Sequence, residues 1–334
     1  LIAAGVSYAV AVPGFLMNPV LHPMTVGATP VWNGLLYGFG VPLLLAGAAL
    51  AILHPRIARH VGPLLGRAQD AVAGVQLPSL LRAAGCVLLF ILVTLEVRQY
   101  FQGAFLDASA MNFFERATYP VAWFMLAGVM LAAGERFRSL SAARAGLAIA
   151  AAAVVFAVMV EALLMNPLWQ FESVGGAPIF NGLLYAYGVP AAMTGLLAWR
   201  LWKHVPRREA EGTLAWAAAV ASLCLIFTLV TLEVQQGFRG DHLRLGPGPA
   251  GEFTAYSLAW SALGAAFLVA GIFRRSPLLR WASLLMLSLT ILKVFLFDMA
   301  DLRDFERVLS FAGLGLSLMA LAFVYQRFVF RKAA

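Results

Sequence analysis

Apolar residues fill the chain in ten long runs, and short polar connections separate them. The runs cover residues 1–18, 31–53, 79–101, 117–134, 143–165, 179–202, 213–236, 254–273, 278–299 and 306–328. A helix that crosses a bilayer needs about 20 consecutive, mostly apolar residues. The pattern therefore predicts an all-α fold, a polytopic membrane helix bundle of about ten transmembrane helices.

The polar interruptions of this pattern recur. NGLLYGFGVP, Asn33 to Pro42, returns as NGLLYAYGVP, Asn181 to Pro190, identical at eight of ten positions. FLMNP at Phe15–Pro19 returns as LLMNP at Leu163–Pro167, and Pro30 as Pro178, all at an offset of 148. Further along, FILVTLEVRQ at Phe90–Gln99 returns as FTLVTLEVQQ at Phe227–Gln236, at an offset of 137. Glu115, Tyr119 and Trp123 match Glu252, Tyr256 and Trp260 at that second offset, and Arg138-Ser139 matches Arg275-Ser276. The first copy is thus eleven residues longer, and the extra length falls in Gly62 to Gln76, a connection where insertion is cheap. Four runs per copy is an even number, so both copies keep one orientation and form parallel repeats. The expected organisation is a first four-helix repeat at 1–141, a second at 142–277, and a C-terminal helix pair at 278–334. That pair reads as a partial third repeat, with Arg280 and Asp298 in the places of Arg144 and Glu161.

Composition and charge add location and orientation. The chain is 62% hydrophobic and 12% charged, with mean hydropathy +0.84; soluble domains carry about 25% charged residues. Of the 24 Lys and Arg residues, 17 fall in the even-numbered connections and the C-terminal tail, and 6 in the odd-numbered connections. Positive charge stays cytoplasmic, so both ends of the chain are expected there. The net charge of +8 is accounted for by this asymmetry, which leaves nucleic acid out of the expected partners and the lipid bilayer in. Twelve of the sixteen acids lie at or beyond the outer ends of the runs. That rim is either a solvated acidic surface or an outward-facing polar site. The chain begins on Leu1 with no signal-peptide pattern, which predicts a fragment or processed product with further transmembrane helices before it. Cys86 and Cys224 lie in apolar runs and read as small hydrophobes. No cofactor is expected, because no metal spacing, phosphate loop or nucleophile elbow occurs.

The candidate chemistry sits in the outer halves of the runs. Asn33 and Tyr37 are four residues apart, as are Asn181 and Tyr185, which predicts one helix face for each pair. Pro42 and Pro190 lack an amide N–H and clash with the preceding turn. They predict a bend that offers carbonyls to a ligand, or a kink that seats a neighbouring helix. Glu96 lies about 25 Å along its helix at 1.5 Å per residue, near the outer edge of the hydrocarbon, and Glu233 repeats it. Such acids mark a pathway or site, or else pair locally, Glu96 with Arg98. Glu161 and Asp298 fall at the outer ends of the fifth and ninth runs. Lys293 is expected to snorkel outward or to pair with Glu96, Glu233 or Asp298. Trp32, Trp169, Trp199, Trp202 and Trp281 fall near expected interfaces and predict an aromatic belt.

The C-terminal run LKVFLFDMADLRDFERVLSFAGLGLSLMALAFVYQRF, Leu292 to Phe328, resembles the end of the bacterial predicted membrane proteins grouped as domain of unknown function 2339. The resemblance rests on K-V-F-L-x-D, R-V-x-S-F-x-G-L-G and Y-Q-R-F, with Lys293, Asp298 and Arg307 as the matching polar positions. It implies the C-terminal part of a long polytopic protein of the bacterial inner membrane, and no particular activity. The function best matched by the residues is binding or transport of a polar solute through an outward-facing cavity lined by Glu96, Glu233, Asn33, Asn181, Tyr37 and Tyr185. An envelope transferase or hydrolase using outer-face carboxylates and a membrane scaffold or sensor are the alternatives.

Overall fold

The computed structural model describes residues 23–52, 77–204, 209–246, 248–249 and 251–295, together with 312–313, 315–319, 322–323 and 325–326. The expected first span at 1–18, the motif Phe15–Pro19 and the positions Asp298 and Arg307 lie outside the described residues. The structure divides into two compact units, Leu1–Ala157 and Val158–Ala334.

The first unit is built on four helices: α1 (Val41–Ile52), α2 (Leu77–Gln102), α3 (Phe113–Arg136) and α4 (Leu140–Val155). Two short strands, β1 (Met24–Thr25) and β2 (Phe105–Leu106), pair antiparallel, with Met24 opposite Leu106. Around them Val26, Leu35, Phe39, Leu88, Leu92, Leu95 and Leu106 form one apolar cluster. In the second unit α5 (Pro167–Gln170) is a single turn. It is followed by α6 (Val189–His204), α7 (Glu209–Arg239), α8 (Glu252–Phe273) and α9 (Pro277–Lys293).

Among the described residues four helices are long and apolar enough to cross a membrane: Phe113–Arg136, Leu140–Leu164, Gly212–Arg239 and Glu252–Phe273. The molecule is an all-α membrane protein.

Two local devices shape these helices. The first is the widened turn before each proline. Leu36–Gly40 and Leu184–Gly188 are π-helical, and the Val41 and Val189 N–H groups reach back to the carbonyls of Leu36 and Leu184. Proline at residues 42 and 190 cannot donate the usual bond. A wider turn just ahead shifts the bonding register, and helical backbone runs on through each proline. A Cβ on Gly40 or Gly188 would approach the Leu36 or Leu184 side chain to 2.7 Å.

The second device is the corner between paired helices. Arg138 and Arg275 both take φ 51°, the left-handed region that closes a helix C-terminus. Ser139 N–H donates to the Gly134 carbonyl at 2.9 Å, and Ser276 N–H to the Gly271 carbonyl at 3.0 Å. The same serines then cap the next helix: Ser139 accepts from Ala142 N–H, and Ser276 from Leu279 N–H. One residue thus closes one helix and opens the next. The tight return presses backbones together, since a Cβ on Gly134 would lie 2.8 Å from Ala143 N and one on Gly271 3.0 Å from Arg280 N.

Candidate functional site

The segment before α1 reverses through Gly27 (φ 107°) and Val31 (φ 67°). Asn33 ends it as a cap: its Oδ1 accepts from Leu35 N–H at 2.8 Å and Leu36 N–H at 3.2 Å. Its Nδ2 donates to the Thr29 carbonyl and, at 3.1 Å, to Glu96 Oε2. Val31 N–H donates to the same Glu96 Oε2 at 3.0 Å. One turn along α2, Gln99 Nε2 donates to the Gly27 carbonyl at 3.0 Å. Glu96 and Gln99 are three residues apart and share a helix face, so α2 grips this segment at two points. Glu96 Oε2 is occupied twice; Glu96 Oε1 is buried with no partner among the described residues.

The second unit carries the same arrangement. Asn181 Oδ1 accepts from Leu183 and Leu184 N–H at 2.8 and 3.1 Å. Asn181 Nδ2 and Ile179 N–H donate to Glu233 Oε2 at 3.2 and 3.3 Å. Gln236 Nε2 reaches the Gly175 carbonyl at 3.2 Å. Ile179 has φ 66°, and Glu233 Oε1 is again buried and unpartnered among the described residues. A left-handed conformation at a β-branched residue is a true outlier. At Val31 and Ile179 the N–H bond to a carboxylate helps hold it.

A second polar cluster joins α2 to α3, and its counterpart joins α7 to α8. Arg98 Nη1 pairs with Glu115 Oε1 at 2.9 Å, with side chains 7% and 2% exposed. Arg98 Nε and Nη2 donate to the carbonyls of Asp107 and Ser109, and Tyr119 OH donates to Glu115 Oε1 at 3.0 Å. In the second unit Arg239 Nε bonds both Glu252 oxygens at 3.1 and 3.0 Å, again with side chains 7% and 2% exposed. Arg239 also donates to the carbonyls of Arg244 and Gly246, and Tyr256 OH donates to Glu252 Oε1 at 3.0 Å. The ion pair is present in both units, but its arginine comes from different turns. Arg98 faces Gln235 at the 137 offset, and Gln102 faces Arg239. Positions four apart share a helix face, so the guanidinium reaches its glutamate from either turn. Gln235 meanwhile donates to the Arg244 carbonyl at 3.0 Å. Close by, Trp123 Nε1 donates to Thr94 Oγ1 at 3.0 Å and Trp260 Nε1 to Thr231 Oγ1 at 3.1 Å.

Arg98 bonds Glu115 and the connecting backbone, not Glu96 as a local pair. Asn33 precedes the helix as its cap, and Tyr37 is 79% exposed, so the two do not form one polar face; Tyr185 is half-buried. Glu161 is fully buried, and its backbone carbonyl accepts from Tyr187 OH at 3.0 Å. Lys293 Nζ donates to the Phe253 carbonyl and to Ser257 Oγ, each at 2.8 Å, and stands 5.6 Å from the centre of the Phe253 ring. Trp32, Trp169, Trp199, Trp202 and Trp281 are all exposed. No group of three or more His, Cys, Asp or Glu side chains suited to a metal occurs among the described residues. Sequence pattern misses the ion pairs, Asp107 and the threonine–tryptophan bonds. The signal that finds the pairs is the reciprocal exchange of Arg and Gln across one turn.

Chemically, each Glu–Asn group is a carboxylate with one oxygen saturated and one left for a further donor. The model of a family described as Predicted membrane protein (DUF2339) matches residues 59–328. No curated protein and no solved structure matches the chain.

Proposed function

The chain belongs to the DUF2339 family of predicted membrane proteins, and on that premise we propose that it binds or transports a polar, donor-bearing or cationic solute at Glu96 and Glu233. One observation carries this reading: in each unit a buried carboxylate oxygen, Oε1, stands without a partner among the described residues while its twin accepts two N–H groups. A buried acceptor left empty is costly, and ionisable groups at membrane depth mark sites. Asn33 and Asn181 are positioning residues that fix the occupied oxygen and aim the other. Within their own units, Tyr37 in the first and Tyr185 and Lys293 in the second supply further polar groups in this proposal, whereas Glu161 is fully buried and takes no part in an outer surface.

The proposed frame is ten spans in the bacterial inner membrane, both ends cytoplasmic, with parallel repeats at 1–141 and 142–277 and a helix pair at 278–334. The matching hydrogen bonds at Asn33 and Asn181, at Glu115 and Glu252, and at the two serine corners support the duplication. The alternation of positive charge supports the orientation.

The test exchanges Glu96→Gln and Glu233→Gln together. The Gln amide oxygen still accepts both N–H groups, so the segment stays tied while the empty oxygen becomes a donor. The substituted strain is expected to match a full deletion in screens of solute uptake, efflux and envelope stress. Wild-type behaviour of the double variant where the deletion is defective would sink the proposal. A scaffold or sensor role is favoured by one specific observation: Glu115 and Glu252 are spent on an arginine and a tyrosine within the unit. It predicts that Arg98→Gln, and not the paired Glu→Gln change, reproduces the deletion.

A further inference from the structure

A cleft of about 540 Å³ opens in the first unit between α2 and α4. Arg82, Ser141 and Arg144 line one end, and Cys86, Phe90 and Ala152 line the rest. Both arginines are exposed and sit near the starts of their helices, Arg82 in α2 and Arg144 in α4. From Arg82 to Phe90, and from Arg144 to Ala152, the lining descends eight residues, about 12 Å at 1.5 Å per residue. The cleft is therefore polarised: two fixed positive charges and a hydroxyl at the helix ends, apolar walls further in. In a bilayer a helix end lies at headgroup level and its interior among acyl chains. Basic pockets between membrane helices suit anionic headgroups, and guanidinium pairs suit phosphate.

We propose that this cleft binds an anionic phospholipid, with its phosphate between Arg82 and Arg144 and an acyl chain along Cys86, Phe90 and Ala152. The second unit supplies an internal comparison. Its cleft of about 710 Å³ is lined by Trp202, Trp216, Ala219, Ser222 and Leu279, with Arg274. Ala219 stands 137 residues beyond Arg82, and Arg280, in the place of Arg144, donates to the Gly271 carbonyl and does not line the cleft, so that cleft lacks the arginine pair. One selective lipid per chain is expected.

The test is native mass spectrometry of the purified full chain with phosphatidylglycerol or phosphatidylcholine of matched acyl chains. Wild-type protein is expected to retain phosphatidylglycerol about tenfold more strongly than phosphatidylcholine: both carry the phosphodiester, but the choline cation of the second sets a like charge against the two guanidinium groups, and about 1.4 kcal/mol of that repulsion is tenfold. Arg82→Gln with Arg144→Gln removes that preference. Ala148→Trp fills the cleft, leaves both charges, and also lowers phosphatidylglycerol retention. All three substitutions are at exposed side chains, and gel filtration checks that the variants stay monodisperse. Equal retention of the two lipids by wild type, or undiminished phosphatidylglycerol on either variant, overturns the proposal. Displacement by excess inorganic phosphate overturns it too, because the arginines would then hold a free anion and not a lipid.

Discussion

Arg98 and Gln102 show how a single turn of helix stores an interaction. The guanidinium is nearly buried and its carboxylate partner more so. Removing one member of such a pair leaves an uncompensated charge, at about 3–5 kcal/mol. Arg98→Gln is expected to lower the thermal midpoint of the detergent-solubilised protein accordingly. Adding Gln102→Arg rebuilds the Arg239 geometry and is expected to return at least half of the loss; no recovery would show that the two turns are not equivalent. The exposed loops predict a pH effect of definite sign. Hydrogen bonds from Ser109 hold the Asp107 carboxyl below the usual carboxylate range, and the His242 ring does the same to Asp241. Each depressed value means stabilisation that is present above the ordinary carboxylate range and lost as pH falls through the folded value. Melting curves of wild type and the Asp107→Asn, Asp241→Asn double variant are expected to differ at neutral pH and to converge as both carboxyls protonate.

At the scale of elements, the helix corners are tightly constrained in both units. Gly134→Val forces a side chain against backbone closer than a carbon tolerates, and Gly271→Val forces one into tight contact with the Arg280 backbone. Overpacking of this kind costs about 1–3 kcal/mol. Ser139→Ala and Ser276→Ala remove a cap at about 1 kcal/mol each, read in the same melting experiment. These elements were legible to different degrees. Apolar run length marks α3, α4, α7 and α8, because a membrane helix is written in composition. The corners were half legible: Arg138-Ser139 and Arg275-Ser276 stand out as repeated pairs, but nothing in an arginine announces a left-handed turn. The proline motif was half legible: a proline announces an interrupted ladder, but the widened turn ahead of Pro42 depends on the hydrogen-bond register, which no periodicity encodes. Asn33 misleads for a related reason: four-residue spacing implies a shared face only where both residues are already helical.

Across the whole molecule, the proposed orientation makes a direct prediction. In a background carrying Cys86→Ala and Cys224→Ala, a membrane-impermeant thiol reagent is expected to label Ala108→Cys in intact cells, and Phe137→Cys only after permeabilisation. Labelling of both in intact cells would overturn the topology. The candidate site was legible as residues and not as a site. Glu96, Glu233, Asn33 and Asn181 are conspicuous because they recur, yet which oxygen is filled depends on Val31 and Ile179 backbone groups that no side-chain pattern reveals. The displaced arginine has a consequence for the history of such a chain. A recombination that joined the first segment to the second between the counterparts of residues 98 and 102 would inherit both arginines and set two cations against one glutamate. The reciprocal joint would inherit neither and strand the acid. Gene conversion across that one turn is therefore expected to be penalised in both directions, which would keep the two segments distinct in sequence even where their hydrogen bonds match.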